Sequence, residues 1–158
     1  HADRVTAVEL KRLSEDIEQI HPGVTVIESA HKADHLLDVK TEAKLPLARL
    51  KNHAVVALSG IGDPLSFEAQ LEGLGVKIAQ SWRYPDHHPY TCRELSSIDD
   101  LRGGFPLIMT HKDFVRLPED WRERLSGKVF VLGIKLEILR GRGAWLDMLE
   151  DLSGGRGK

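Results

Sequence analysis

Three short stretches of this chain carry residues whose types and spacing suit chemistry. The first is Ser59-Gly60-Ile61-Gly62-Asp63-Pro64, which follows a β-rich run over residues 53–58. Its two glycines let the backbone approach a ligand, and the start of a helix offers N–H groups to an anion. It is neither a Walker A motif nor a full dinucleotide fingerprint. The second is Tyr84-Pro85-Asp86-His87-His88-Pro89-Tyr90. An Asp beside a His can orient or tune an imidazole, which titrates near neutrality, and two prolines stiffen the loop. The third is Thr110-His111-Lys112-Asp113, directly after an apolar run over residues 106–109. A Lys at a strand end can hold a phosphate or a carboxylate. Each stretch also has a plain reading: a tight strand-to-helix turn, a polar surface turn, and a solvated Lys112–Asp113 pair or an Asp113 turn cap.

Other reactive residue types lead less far. Among eight histidines, His31 and His35 stand four apart, which suits a metal-ligand pair only on a helix, and no Cys-x-x-Cys or His-Glu-x-x-His accompanies them. No metal site is expected. Cys92, the single cysteine, has no partner for an internal disulfide, which fits a reducing cytosol. It falls in the first turn of an expected helix, where a thiol can acidify. No catalytic-cysteine signature surrounds it. Trp82, Trp121 and Trp145 read as core or core-edge anchors. Lys and Arg are not interleaved with aromatics as a nucleic-acid face requires, and the formal net charge of −2 gives no bulk pull toward nucleic acid.

The elements that must position these loops follow from caps and periodicity. Thr6 and Glu9 form a capping box ahead of Leu10, Leu13, Ile17 and Ile20, so a helix is expected to run until just before Pro22. A short strand is expected over residues 24–27. Residues 30–50 read as a connection or hinge, with a short strand near 36–39. Asp63 and Pro64 start a helix that Gly75 stops, and residues 76–82 form the next strand. Thr91 and Glu94 make a second capping box for a helix to about Leu101. Strands over residues 105–109 and 128–132, a short helix over 118–125 and an amphipathic helix over 143–152 complete the pattern. Strands alternating with helices predict a layered α/β lobe with a small, largely parallel sheet flanked by helices. In such a sheet, ligands collect where strands end and helices begin. With 158 residues, 41% hydrophobic and 29% charged, the chain is long enough and apolar enough for one globular domain or lobe. No apolar run is long enough to span a bilayer.

In this order and at these spacings, the three loops resemble the C-terminal half of the tetraacyldisaccharide 4′-kinase family. That family carries Gly-Ile-Gly-Asn/His/Asp-Pro after a strand, then Phe three residues on. Here the matching residues are Gly60, Ile61, Gly62, Asp63, Pro64 and Phe67, followed by Leu74-Gly75. An aromatic-x-Asp-His segment is matched by Tyr84, Asp86 and His87. The family's Thr-Glu-Lys-Asp-Ala-Val-Lys is matched by Thr110-His111-Lys112-Asp113-Phe114-Val115-Arg116, with His111 where the family has Glu. The likeness covers residues 55–131, and the neighbourhood of Ala30, His31 and Lys32 is similar to the family's hinge segment.

The resemblance implies transfer of the γ-phosphate of ATP to the 4′-hydroxyl of a tetraacyl disaccharide 1-phosphate, giving lipid IVA in lipid A biosynthesis at the cytosolic face of the bacterial inner membrane. It implies that His87 is catalytic, paired with an Asp on the other lobe, with Asp86 shaping the loop. Gly60, Gly62, Asp63, Lys112 and Asp113 are implied contacts to substrate or to the other lobe. Family members are considerably longer, and their N-terminal half holds the P-loop, the Mg²⁺-binding acids and a membrane-associating helix. Nothing here matches Gly-x-x-x-x-Gly-Lys-Ser/Thr. ATP and Mg²⁺ are therefore expected to serve the full-length enzyme, not these residues alone, and the N-terminal lobe is the expected partner. The chain begins with His1 rather than Met, in keeping with a cut fragment, an engineered piece or a processed product. The expected organisation is an N-terminal helix, strand and hinge over 1–50, the α/β lobe over 51–152, and a flexible tail over 153–158. A different class of function stays open: a standalone module derived from that lobe, gripping a phosphosugar or a protein.

Overall fold

The computed structural model describes residues 5–154. Along the chain lie α1 (Ala7–Ile20), β1 (Glu28–Asp38), β2 (Lys44–Leu45), a 3₁₀ turn (Leu47–Leu50), β3 (Ala54–Ser59), α2 (Pro64–Gly73) and β4 (Lys77–Arg83). They are followed by α3 (Cys92–Leu101), β5 (Leu107–Thr110), α4 (His111–Phe114), α5 (Trp121–Arg124), β6 (Val129–Arg140) and α6 (Arg142–Gly154).

Local chemistry sets the helix starts. At α1 the Thr6 hydroxyl oxygen accepts the Glu9 N–H, and the Glu9 carboxylate accepts the Thr6 N–H. Thr91 and Glu94 repeat this box at α3. Asp63 caps α2 by accepting the Ser66 N–H at 3.0 Å, with Pro64 as the first helical residue. Gly75 takes φ +77° just past the end of α2, a conformation that costs glycine little.

The strands form one six-stranded sheet in the order β2-β1-β6-β5-β3-β4. β4, β3, β5 and β6 are parallel, and β2 is antiparallel to β1. Helices flank this largely parallel sheet, as the alternation of elements predicts. β3, β5 and the first part of β6 are continuous apolar runs because both of their faces are buried, whereas the edge strand β4 mixes Lys, Gln, Ser and Arg with apolar residues. Val56, Leu58, Leu107, Met109, Val129 and Val131 face one core with Leu95, Ile98, Trp121 and Leu125. Val55, Ala57, Ile108, Phe130 and Leu132 face the other with Phe67 and Leu71. Trp121 is buried and Trp82 packs at the edge of the first core, while Trp145 is half-buried in α6.

Several expected boundaries move. Residues 24–27 are not a strand, because the extended segment begins only at Glu28. Most of the expected hinge, residues 30–50, is taken up by β1, β2 and the 3₁₀ turn. β6 runs eight residues past the strand expected to end at Leu132. There its apolar pattern gives way to exposure, with Ile134, Leu136 and Leu139 open to solvent. Gly133 leaves room for the His35 ring, which a side chain at that position would strike. His31 and His35 therefore lie on a strand, and their spacing of four is not the helical one a metal pair needs. Contacts divide the chain into one unit of Ala33–Ile134 and another formed by the residues before and after it, rather than at residues 50 and 152. Ser153 and Gly154 belong to α6, and residues 155–158 of the expected tail lie outside the described residues.

The second unit contains α1, which has no buried residue although Val8, Leu13 and Ile20 lie along it, and α6, where Leu146, Met148, Leu149 and Leu152 are exposed. Among the described residues no helix is long and apolar enough to cross a membrane.

Two polar knots hold the first unit around its core. Arg102, 2% exposed, donates to the carbonyl oxygens of Phe105, Ser126 and Lys128 and pairs with Asp99 at 2.6 Å. It ties the end of α3 to the segments entering β5 and β6. The Arg83 guanidinium on β4 grips Glu68 on α2 with two bonds of 2.7 Å. That grip holds the Glu68 carboxyl below its ordinary 4.5, against burial, which pulls the other way.

Replacing Arg102 with Met takes the guanidinium donors from the Phe105 and Ser126 carbonyls, and leaves the Lys128 carbonyl and the Asp99 carboxylate with only the Leu107 and Ser126 N–H groups. We expect a loss on the order of 3 kcal/mol of stability in urea unfolding. The Glu68 bond predicts a pH effect of definite sign. A depressed folded-state pKa stabilises fully above the ordinary 4.5, and that contribution is lost as pH falls through the folded value. Glu68→Gln should therefore flatten the fall of the urea midpoint below about pH 4.5 relative to the parent, and leave that slope unchanged near neutrality.

Candidate functional site

The three loops leave the C-terminal ends of neighbouring parallel strands β3, β4 and β5, all within the unit Ala33–Ile134. One side chain joins them. Asp113 has no exposed surface, and its Oδ1 accepts the Gly60 N–H at 2.8 Å and the Tyr90 hydroxyl at 3.0 Å. Its Oδ2 accepts the Thr110 hydroxyl at 2.6 Å. Thr110 caps the single turn of α4 by accepting the Asp113 N–H, which aims the carboxylate inward. A buried carboxylate is tolerable only when paired and hydrogen-bonded, and here each loop supplies a donor. Burial and the adjacent Asp113 carboxylate push the Tyr90 phenol well above its ordinary 10, so it remains a donor.

Arg116 adds a second strut. Its Nη1 donates to the Gly60 carbonyl at 3.0 Å and lies 3.9 Å from Asp113 Oδ1. Its Nη2 lies 3.1 Å from Nδ1 of His87.

His87 takes φ +61°, in the left-handed region that costs a residue with a Cβ on the order of 1 kcal/mol or more. Its backbone N–H is shared between Asp86 Oδ1 at 2.9 Å and the Gly60 carbonyl at 3.2 Å. The imidazole itself is 79% exposed, with Nε2 3.7 Å from Asp86 Oδ2. His88 turns the other way. Its Nε2 lies 3.0 Å from Glu94 Oε1, and its ring stacks on Tyr84 with centroids 4.4 Å apart. Of two adjacent histidines, one is presented and one is packed.

The expected site residues divide accordingly. Asp86 and His87 are together on the exposed rim, with Gly62 beside them. A Cβ on Gly62 would meet Asp86 Oδ2 at an ordinary 3.6 Å. Lys112 is exposed on α4 and makes no ion pair among the described residues. Asp113 and Gly60 do not fit the expectation of contacts to substrate or another lobe, because both are buried and their polar groups are used inside the knot. Gly60 is a glycine for lack of room: a Cβ there would lie 2.9 Å from the Tyr90 hydroxyl and 3.2 Å from Asp113 Oδ1. Asp63 sets its own carboxylate over the first turn of α2, so that helix start is already occupied by an anion. Cys92 also departs from expectation. Its thiol donates to Asp120 at 3.0 Å, and that bond raises its pKa where a helix start alone would lower it. Tyr90, Thr110 and Arg116 had no role assigned from sequence. The signal for Arg116 was its place three residues after Asp113, one helical turn away.

Chemically, the knot presents an oriented imidazole beside a carboxylate on a rigid rim. The Gly60 amide is consumed by Asp113 and so is not open to a phosphate.

The chain is similar to known proteins over most of its length. The family model described as tetraacyldisaccharide-1-P 4′-kinase matches residues 1–153. A tetraacyldisaccharide 4′-kinase of Elusimicrobium minutum is 37% identical over 138 residues, covering 87% of this chain and 37% of that protein. Its namesake in Anaeromyxobacter dehalogenans is 34% identical over 144 residues, covering 89% and 38%. One from Rhodopseudomonas palustris is 49% identical over 94 residues, covering 58% and 28%. The crystal structure of an "apo" form of LpxK from Aquifex aeolicus in complex with ATP shares the fold, with a TM-score of 0.50 and 23% identity over 80% of this chain and 38% of that one. The chain thus spans somewhat over a third of the length of the relatives from Elusimicrobium minutum and Anaeromyxobacter dehalogenans. With a family model matched over nearly its whole length and the three loops joined as one site, the chain belongs to the tetraacyldisaccharide 4′-kinase family.

Proposed function

We propose that this chain is the C-terminal lobe of an ATP-dependent kinase that phosphorylates the 4′-hydroxyl of tetraacyldisaccharide 1-phosphate. The product is lipid IVA, made for lipid A at the cytosolic face of the bacterial inner membrane. The observation that carries the reading is His87, an exposed imidazole on strained backbone at the sheet edge where α/β folds collect ligands. An exposed ring recovers no packing energy for that strain. What the strain secures is position, and phosphoryl transfer depends on positioning and charge stabilisation more than on covalent chemistry.

In this reading His87 works with an Asp of the other lobe, which accepts the proton of the sugar hydroxyl. Asp86 fixes the backbone of His87 through its N–H. Gly62 and Lys112, both exposed, are the residues of this site free to meet substrate or the other lobe. In this reading the P-loop and the acids that hold Mg²⁺ belong to the rest of the enzyme, outside these residues. Family membership and the share of each relative covered both support a two-lobed enzyme.

The 158 residues alone should not bind ATP tightly, because they contain no Walker A sequence to cradle the β- and γ-phosphates. Titration with a fluorescent ATP analogue and Mg²⁺ checks this, and saturable low-micromolar binding would refute it. In the full-length enzyme, His87→Ala should lower kcat by roughly 10²–10⁴-fold while changing KM for ATP little. His88→Ala should leave kcat near normal and lower thermal stability, since its ring packs on Tyr84. Equal, near-normal kcat in both variants would remove His87 from the mechanism.

A further inference from the structure

We infer that Arg116 is a positioning residue that fixes the tautomer of His87, so that the ring offers Nε2–H outward as a hydrogen-bond donor. The inference rests on the catalytic reading of His87 for its consequence, but not for its geometry.

A guanidinium has five N–H donors and no acceptor. Arg116 Nη2 stands 3.1 Å from His87 Nδ1, so at that contact the ring nitrogen accepts. A neutral imidazole that accepts at Nδ1 carries its proton on Nε2. Arg116 is itself held. Its side chain is 19% exposed, its Nη1 donates to the Gly60 carbonyl at 3.0 Å, and the buried Asp113 carboxylate lies 3.9 Å away. The ring is thus anchored through Arg116 to the same knot that fixes its backbone. The groups facing the ring are the Arg116 guanidinium at Nδ1 and the Asp86 carboxylate 3.7 Å from Nε2.

The chemical consequence concerns what the ring can do. An Nε2–H donor pairs with an anionic oxygen, whether carboxylate or phosphate. It cannot accept the proton of a sugar hydroxyl at that nitrogen. His87 would therefore steady a carboxylate base instead of serving as the base. Arginine suits this task better than lysine, because its planar fork spans two acceptors, the Gly60 carbonyl and the ring, at once.

The test begins with the 158-residue chain labelled with ¹⁵N-histidine, and reads the two ring nitrogens of His87 at alkaline pH by long-range ¹H–¹⁵N correlation. The parent should show one tautomer, with Nε2 protonated. Arg116→Met should give averaged shifts with a visible Nδ1–H population, and Arg116→Lys should fall between. A His87 that stays wholly Nε2–H in Arg116→Met would overturn the inference. Kinetics in the full-length enzyme supply the second reading. Arg116→Met should lower kcat about tenfold or more, a part of the roughly 10²–10⁴-fold expected of an acid–base group, and should cost nothing further in a His87→Ala background. Additive losses would overturn the link between the two residues. A shifted tautomer in Arg116→Met with near-normal kcat in His87→Ala would uphold the hold of Arg116 on the ring and overturn the catalytic reading alone.

Discussion

A carboxylate without exposed surface must find donors inside the protein, and at Asp113 the donors come from three different loops. Removing such a group from water costs several kcal/mol unless it is paired, so the loops and the carboxylate hold each other in place. Gly60 brings its amide close enough only because it has no Cβ. Tyr90 contributes a phenol that burial and the same carboxylate keep protonated. The exposed rim inherits its precision from this buried layer. His87 is bonded through its backbone to Gly60 and through its ring to Arg116, and both of those residues are tied to Asp113 or lie against it.

The sheet beneath supplies the register. β3, β4 and β5 are parallel neighbours, so their C-terminal ends lie along one edge and their following loops meet there. β3 and β5 are buried on both faces, which is why the segments leading into the first and third loops are nearly uninterrupted apolar runs, whereas β4, at the sheet edge, is mixed in composition and only partly buried. The glycine and aspartate chemistry begins where those runs stop.

Much of this was legible in sequence, and the reasons differ by element. Capping boxes at Thr6 and Thr91, and the Asp63-Pro64 start, rely on contacts within three residues, so they could be placed closely. The loops themselves were identifiable by residue type. The roles inside them were not, because Asp113 takes its meaning from Gly60, 53 positions away. A surface Asp and a buried one look alike in a string of letters. β1 and the far half of β6 were hidden for another reason. β1 carries His, Lys and Asp without clean alternation, while the far half of β6, Ile134-Lys135-Leu136-Glu137-Ile138, does alternate but turns exposed where the continuous apolar run stops. Residues 24–27 misled in the opposite sense: their β-rich composition lies just ahead of the strand, which begins at Glu28. Cys92 shows a local rule overridden by a neighbour, where the Asp120 carboxylate outweighs the helix start.

The division between a buried knot and an exposed rim also bears on how this site can diverge. His111 is exposed at the first residue of α4, and its side chain makes no hydrogen bond to the knot among the described residues. Two positions on, Asp113 is bonded to three partners. Drift is therefore cheap at one position and closed at the other, although both belong to the same helical turn. Selection for a new acceptor or a new lobe partner would find its variation at His111, Lys112 and Gly62. The machinery that aims the imidazole could pass through such changes untouched.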